Sequence, residues 1–211
     1  MDVVFINKEK QLGTSAAFKY AARSLQKYMG DLGSIYIVGE MPEHARFAKH
    51  IPHKSIFDKD WQNQMHAVLA ACSDKQITEE FLLVSTTTIM LDAFTGADYP
   101  FYRAKNGDGG PNGMYNFQLN CPIRINKLWF TKMPIKPTTK GDYWPRSFYC
   151  NFYRAPSFPA DDLRLRVGKS MPSISDQLKN RLWAVLSNDT LADPEAIKYL
   201  EAKYCVPSCI E

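Results

Sequence analysis

Four hydroxyl residues in a row, Ser85-Thr86-Thr87-Thr88, follow the apolar run Phe81-Leu-Leu-Val84. A hydroxyl can donate to a ligand or, with a base beside it, act as a nucleophile. The sequence pairs no base with this run, so hydrogen bonds to the local backbone are its simplest use. Further polar groups cluster near the start of the chain: Asn7 and Lys8 after the first apolar run, Lys19 and Arg23 within the next periodic segment, and Asn63 early in a later one. His44, His50 and His53, together with Cys205 and Cys209, raise the question of zinc. No HExxH or CxxC spacing is present, and no metal site is expected from them.

The elements that must carry these groups are readable in outline. Residues 2–6 (DVVFI) form a continuous apolar, β-rich run suited to a parallel strand buried on both faces. From Ser15 the apolar positions Phe18, Ala21, Ala22, Leu25 and Tyr28 recur at helical spacing, with Gly30 to Gly33 as the stop. Ser34-Ile-Tyr-Ile-Val-Gly39 is a second strand, so the chain opens β-α-β, the unit of a parallel sheet with a right-handed crossover. A helix over Trp61 to Cys72 and a strand over Phe81 to Val84 follow. Ligands of open α/β sheets bind beyond the carboxyl ends of the strands, so the loops after Ile6, Val38 and Val84 should converge on one crevice. From about 95 to 160 the chain turns to Gly, Pro, Asn and aromatics, including NGDGGPNG at 106–113, which reads as loops and short strands. Tyr99, Phe101, Tyr102, Tyr115, Phe117, Trp129, Trp144, Phe148 and Tyr149 there could stack on sugars or a base, although area alone makes them the core of a smaller lobe. Two helices are expected over Ser173 to Leu186 and Asp193 to Tyr204, the second with Pro194 at its first position.

Bulk properties exclude several classes. At 211 residues, 45% apolar and 23% charged, the chain suits one globular domain and has no apolar run long enough to cross a bilayer. The opening MDVVFINKEK lacks the parts of a secretory signal, and five cysteines without a CxxC pair suit reduced thiols, so a cytoplasmic protein is expected. A net charge of +4 permits an anionic ligand such as a nucleotide diphosphate. It forms no basic stripe, so nucleic acid is not an expected partner.

Several segments taken together resemble a family of bacterial and viral glycosyltransferase-like proteins related to capsular-polysaccharide transferases. They are Asp2-Val-Val-Phe5, Ala17 to Leu25, Ile35-Tyr-Ile-Val-Gly-Glu-Met-Pro42, Pro122-Ile-Arg-Ile-Asn-Lys127, Ser147-Phe-Tyr-Cys-Asn151, Pro172-Ser-Ile-Ser-Asp176 and Leu200 to Glu211. The resemblance covers nearly the whole chain and implies the nucleotide-diphospho-sugar transferase (GT-A) fold: α/β, a mostly parallel sheet flanked by helices, and a smaller loop-rich lobe. It further implies a nucleotide-binding half at 1–94, an acceptor or lid half at 95–170 and C-terminal helices at 171–211. The departures are chemical. Where the family carries two aspartates and a histidine after the central strand, this chain has Ser85-Thr86-Thr87-Thr88. The histidine expected before Pro122 is missing, and a Glu and an Arg of the first helix have become Ala17 and Lys19.

The resemblance implies transfer of a sugar from a nucleotide-sugar donor to a glycan or other acceptor. Neutral hydroxyls bind a divalent metal poorly, so no cofactor is required and Mn or Mg is the disfavoured alternative, and Lys8, Lys19, Arg23 and Lys127 become candidates for neutralising the diphosphate. Asn7, Asn63, Ser85, Thr86 and Thr87 complete the expected donor site, and Asn120, Arg124, Lys127 and Asn151 the substrate site. Asp176 is the candidate base by resemblance, although Ser173-Ile-Ser-Asp176 also fits a helix cap. Asp92 and Asp98 are lesser carboxylate candidates. The alternative is an inactive relative that keeps the fold as a binding or assembly module.

Overall fold

A computed structural model of the chain describes residues 1–7, 14–42, 45–104, 115–117, 120–134, 144–161, 163–168 and 171–204. Its centre is a five-stranded sheet built from β1 (Asp2–Asn7), β2 (Ile35–Gly39), β3 (Lys49–Ile51), β4 (Glu80–Val84) and β7 (Ile123–Asn126), in the order β3-β2-β1-β4-β7. The first four strands run parallel and β7 runs antiparallel against β4. The expected β-α-β opening is present, with α1 (Thr14–Tyr28) crossing between β1 and β2.

Continuous apolar strands form here because both faces are covered. Val4, Phe81 and Leu83 point into one layer against Met65, Val68 and Ala71 of α2 (Asp60–Ser73). Val3, Phe5, Leu82 and Val84 point the other way onto Phe18, Ala21, Ala22 and Leu25 of α1, with the Phe5 and Phe18 rings edge to face at 5.0 Å. Each such side chain contributes about 1.5–3 kcal/mol on leaving water. Burial on this scale fixes the strand ends, and with them the site.

Two expectations are corrected. The segment from 95 to 160 holds helices as well as β6 (Phe101–Ala104) and β8 (Ser157–Ala160), namely α3 (Lys127–Lys132) and α4 (Pro145–Phe152). At six and eight residues they are too short to show a repeated apolar period. The single helix expected over Ser173 to Leu186 is instead α5 (Ile174–Leu178), a turn with Asn180 at φ +57°, and β9 (Trp183–Val185). β9 pairs antiparallel with β5 (Thr88–Met90), a tertiary contact that outweighs the local helical period. α6 (Asn188–Ala192) and α7 (Pro194–Lys203) follow, with Pro194 at the first position of α7 as expected and the Asp193 carboxylate accepting from Ala196 N. Among the described residues no helix is long and apolar enough to cross a membrane.

Candidate functional site

The carboxyl ends of β1, β2 and β3 lie side by side and open into a small crevice of about 10 Å³, lined by Ile6, Asn7, Glu40, His53, Ser55, Asn63, Gln64 and Ala67. Asn7 pairs with Gly39, and the two backbones approach so closely that a Cβ on Gly39 would stand 1.9 Å from the Asn7 carbonyl oxygen. Gly39 also holds φ +112°, a conformation that side-chain-bearing residues rarely adopt. The mouth of the crevice therefore depends on that glycine.

Asn7 is buried, and its Nδ2 donates to the Glu40 carbonyl at 2.7 Å. That bond orients the amide and leaves Oδ1 buried without a hydrogen-bond partner. Asn63 plays a different part. Its Oδ1 accepts from the backbone N–H groups of Ile56 and Phe57, both at 3.0 Å, and its Nδ2 donates to the Phe57 carbonyl at 2.7 Å. The side chain is thereby spent on folding the wall of the crevice. On the same wall His53 Nε2 meets His66 Nδ1 at 2.7 Å, and burial, followed by the His66 charge, pulls the His53 pKa below its usual 6.5. His50 Nε2 lies 2.6 Å from the Gly39 carbonyl, while His44, Cys205 and Cys209 lie outside the described residues.

Beside β1, β4 ends in the hydroxyl run. Ser85 Oγ and Thr87 Oγ1 are 3.0 Å apart, Thr88 N donates to the Ser85 carbonyl at 3.0 Å, and Thr88 Oγ1 donates to the Asn120 carbonyl. Ser85 and Thr87 share one hydrogen bond, and nothing in the run carries a charge. The run offers a divalent cation no carboxylate oxygen. Among the described residues no group of three or more His, Cys, Asp or Glu is placed to hold a metal ion.

No family model and no curated protein matches the chain. Solved structures do. An active-site mutant of LgtC aligns over 99% of this chain and 98% of its own with a TM-score of 0.53 at 12% identity. The galactosyltransferase LgtC in complex with donor and acceptor sugar analogues aligns over 100% and 98% with a TM-score of 0.52, also at 12% identity. The chain has the fold of LgtC. At this identity the likeness speaks for the architecture, and chemistry has to be argued from the residues.

Within that fold the other expected residues scatter. Lys19 Nζ and Arg23 Nη1 reach Glu201 of α7 at 2.9 and 3.3 Å, and Tyr20 Oη donates to the same carboxylate at 2.8 Å. Their charges clasp α1 to α7. Lys8 lies outside the described residues. Lys127 follows β7, whose Asn126 pairs with Glu80 at the amino end of β4, so it sits at the sheet edge opposite the crevice. Its buried ammonium donates to the carbonyls of Asp74, at 2.6 Å, and Ile77. The antiparallel direction of β7 thus places it at the other end of the sheet from the crevice.

Arg124 donates to the Ala97 carbonyl and lies 6.0 Å from the Phe101 ring centroid. Asn151 uses Oδ1 to accept from Tyr115 N at 2.9 Å and Nδ2 to donate to the carbonyls of Tyr115 and Ser147, so its amide ties a loop to α4. Asn120, at φ +56°, stands next to the hydroxyl run through its carbonyl. Asp176 is exposed on α5, caps the helix with Ser173, and has its carboxylate 2.6 Å from both Ser173 Oγ and Lys179 Nζ. The hydrogen bond from Lys179 holds its pKa below the ordinary carboxylate value, which weakens it as a base. Asp92 accepts from the adjacent Ala93 N and Asp98 from Thr95 Oγ1, both local turn bonds.

Two groups escaped the sequence reading. His66 is one, set on α2 between the apolar positions. Arg146 is the other: a guanidinium only 8% exposed, in the first turn of α4, donating to the Cys121 carbonyl at 3.2 Å. Its signal was available in Trp144-Pro145-Arg146, since a proline that opens a helix places the next residue in a first turn, where cations are out of place.

Proposed function

We propose that the crevice beyond β1, β2 and β3 binds the nucleotide part of a nucleotide-sugar donor, and that the protein transfers the sugar to a glycan or other acceptor without a divalent metal. One observation carries this reading: the buried, unpartnered Oδ1 of Asn7 on the crevice wall. Leaving a buried acceptor unpaired costs about 1–3 kcal/mol, and a ligand presenting an N–H or O–H there recovers it. The likeness to a galactosyltransferase solved with donor and acceptor analogues supports a two-substrate reaction. The uncharged turn at Ser85 to Thr88 supports metal independence, because charge on a leaving diphosphate would have to be met by fixed cations and backbone N–H groups.

A second reading, a binding module without turnover, is favoured by one specific arrangement. The Ser85 and Thr87 hydroxyls bond each other, and the Asp176 carboxylate is engaged by Ser173 and Lys179. Thermal unfolding against a panel of nucleotides and nucleotide sugars, in EDTA and in manganese, tests the first reading. A ligand at 100 times its Kd raises stability by about 2.7 kcal/mol. Stabilisation in EDTA with release of free nucleoside diphosphate supports transfer; stabilisation without any release supports the module; indifference to every ligand contradicts both.

A further inference from the structure

A second hollow, of about 340 Å³, lies between α5 and the first turn of α7, with Arg166 to Gly168 and Met171 as its third wall. That volume falls within the range of small-molecule sites, roughly 300–1,000 Å³. Gln177 fixes the third wall. Its Oε1 accepts from Arg166 N at 3.0 Å, and its Nε2 donates to the carbonyls of Arg166 and Pro172 at 2.7 and 2.9 Å. The hollow is therefore shaped by the fold before any ligand arrives.

Its polar lining divides in two. Ser173 and Asp193 are committed to helix caps, accepting from Asp176 N and Ala196 N. Arg166 and Glu195 are not committed. Both side chains are exposed on the same hollow, yet among the described residues neither charged group makes an ion pair or a hydrogen bond. Opposite charges held apart across one hollow offer a donor and an acceptor to a single ligand. Beside them lie the half-buried Tyr199 ring, the Met171 side chain and the Ser175 hydroxyl. This set matches a sugar, whose hydroxyls donate to a carboxylate and accept from a guanidinium while its C–H face rests on an aromatic ring.

The hollow also sits at the crevice end of the molecule. Leu186 N donates to the Thr87 carbonyl in the hydroxyl run at 2.8 Å, and Ser187 Oγ and Thr190 Oγ1 donate to the carbonyl of Leu165, the residue before Arg166. α7 advances in the same sense as α1. Lys19 meets Glu201, Lys27 Nζ donates to the Lys203 carbonyl, and the Tyr28 and Tyr204 rings at the two carboxyl ends have centroids 6.4 Å apart. Because α1 sets out from the carboxyl end of β1, the first turn of α7, with Glu195, faces that end too.

We propose that this hollow binds a neutral saccharide, with Glu195 and Arg166 gripping its hydroxyls and Tyr199 against its ring. A zwitterion would satisfy the two charges but leave the Ser175 hydroxyl and the aromatic face unused, which favours the sugar. Resting on the transfer reading above, the saccharide is a unit of the acceptor glycan. The affinity for saccharide itself does not depend on that reading.

Saturation-transfer NMR on the full chain in EDTA tests this, with methyl glucoside, methyl galactoside and maltose as probes. The wild type transfers saturation to at least one of them. Glu195→Gln and Arg166→Met, both at exposed positions, each weaken binding about fivefold with the melting temperature unchanged, and together abolish it. No transfer from the wild type to any of the three, or undiminished affinity in both variants, overturns the proposal. Displacement of the bound sugar by glycylglycine overturns it as well, by making the hollow a zwitterion site. Nucleotide sugars are titrated into the same wild type and scored apart. Nucleotide binding without saccharide binding sinks the hollow and keeps the donor reading, whereas saccharide binding without nucleotide binding sinks the donor reading alone.

Discussion

The Asn7 side chain donates to the Glu40 carbonyl at 2.7 Å, and this bond leaves its other end, Oδ1, buried without a hydrogen-bond partner. Strand β1 supplies the group and the turn after β2 orients it. Removing the side chain loses one hydrogen bond but also removes an unsatisfied acceptor, and the two effects nearly cancel. Asn7→Ala should change stability by less than about 1 kcal/mol in urea unfolding, while ligand affinity measured by calorimetry falls at least tenfold.

Gly39 faces the same residue from the other side. In Gly39→Ala a methyl group would meet the Asn7 carbonyl oxygen at 1.9 Å, at a φ that costs alanine about 1–3 kcal/mol by itself. Because the obstacle is backbone, β1 and β2 must separate at their ends. Chemical denaturation should show a loss of at least about 2 kcal/mol, and the variant should bind ligand weakly even when folded.

Acid should weaken the fold through His53. Its folded pKa is depressed by burial and then by His66, so between that value and 6.5 the unfolded chain binds more protons than the folded one. Stability then rises with pH across this window, and is lost as pH falls through it. Melting curves from pH 7.5 to 5 should show this slope, and His53→Gln should flatten it.

Glu201 gathers Lys19, Tyr20 and Arg23 of α1 onto α7. The hydrogen bond from Lys19 leads the causes that hold its pKa below the usual range. With Glu201 42% exposed the pairs are screened, yet Arg23 is buried and would lose its anion, so Glu201→Gln should cost about 1–2 kcal/mol. Ligand affinity in the variant should stay unchanged, which separates a clasp from a phosphate site for Lys19 and Arg23.

The parallel half of the fold was legible because its strands are buried on both faces and its first two helices are long enough to show their period. Of the three loops expected to converge, those after Ile6 and Val38 reach the crevice, whereas the one after Val84 does not line it and the segment after β3 takes that place; Asn7, expected in the loop, is the last residue of β1. Direction and register were not legible. Lys127 sits in a motif near Pro122, yet the antiparallel run of β7 carries it to the far edge of the sheet. Asn63 and Asn151 are polar in sequence but committed to backbone in space, a distinction that only contacts can make. Arg146 was hidden for the opposite reason: burial, which gives its charge meaning, leaves no trace in composition.

The central claim is a donor crevice whose grip on a nucleotide diphosphate owes nothing to a divalent cation. Calorimetric titration of the best-stabilising nucleotide sugar into the wild type and Asn7→Ala, each in EDTA and in manganese, tests it most directly. The account predicts saturable binding in EDTA, a Kd unchanged within threefold by manganese, and loss of binding in Asn7→Ala under both conditions. Binding that requires manganese, or that survives Asn7→Ala intact, contradicts it.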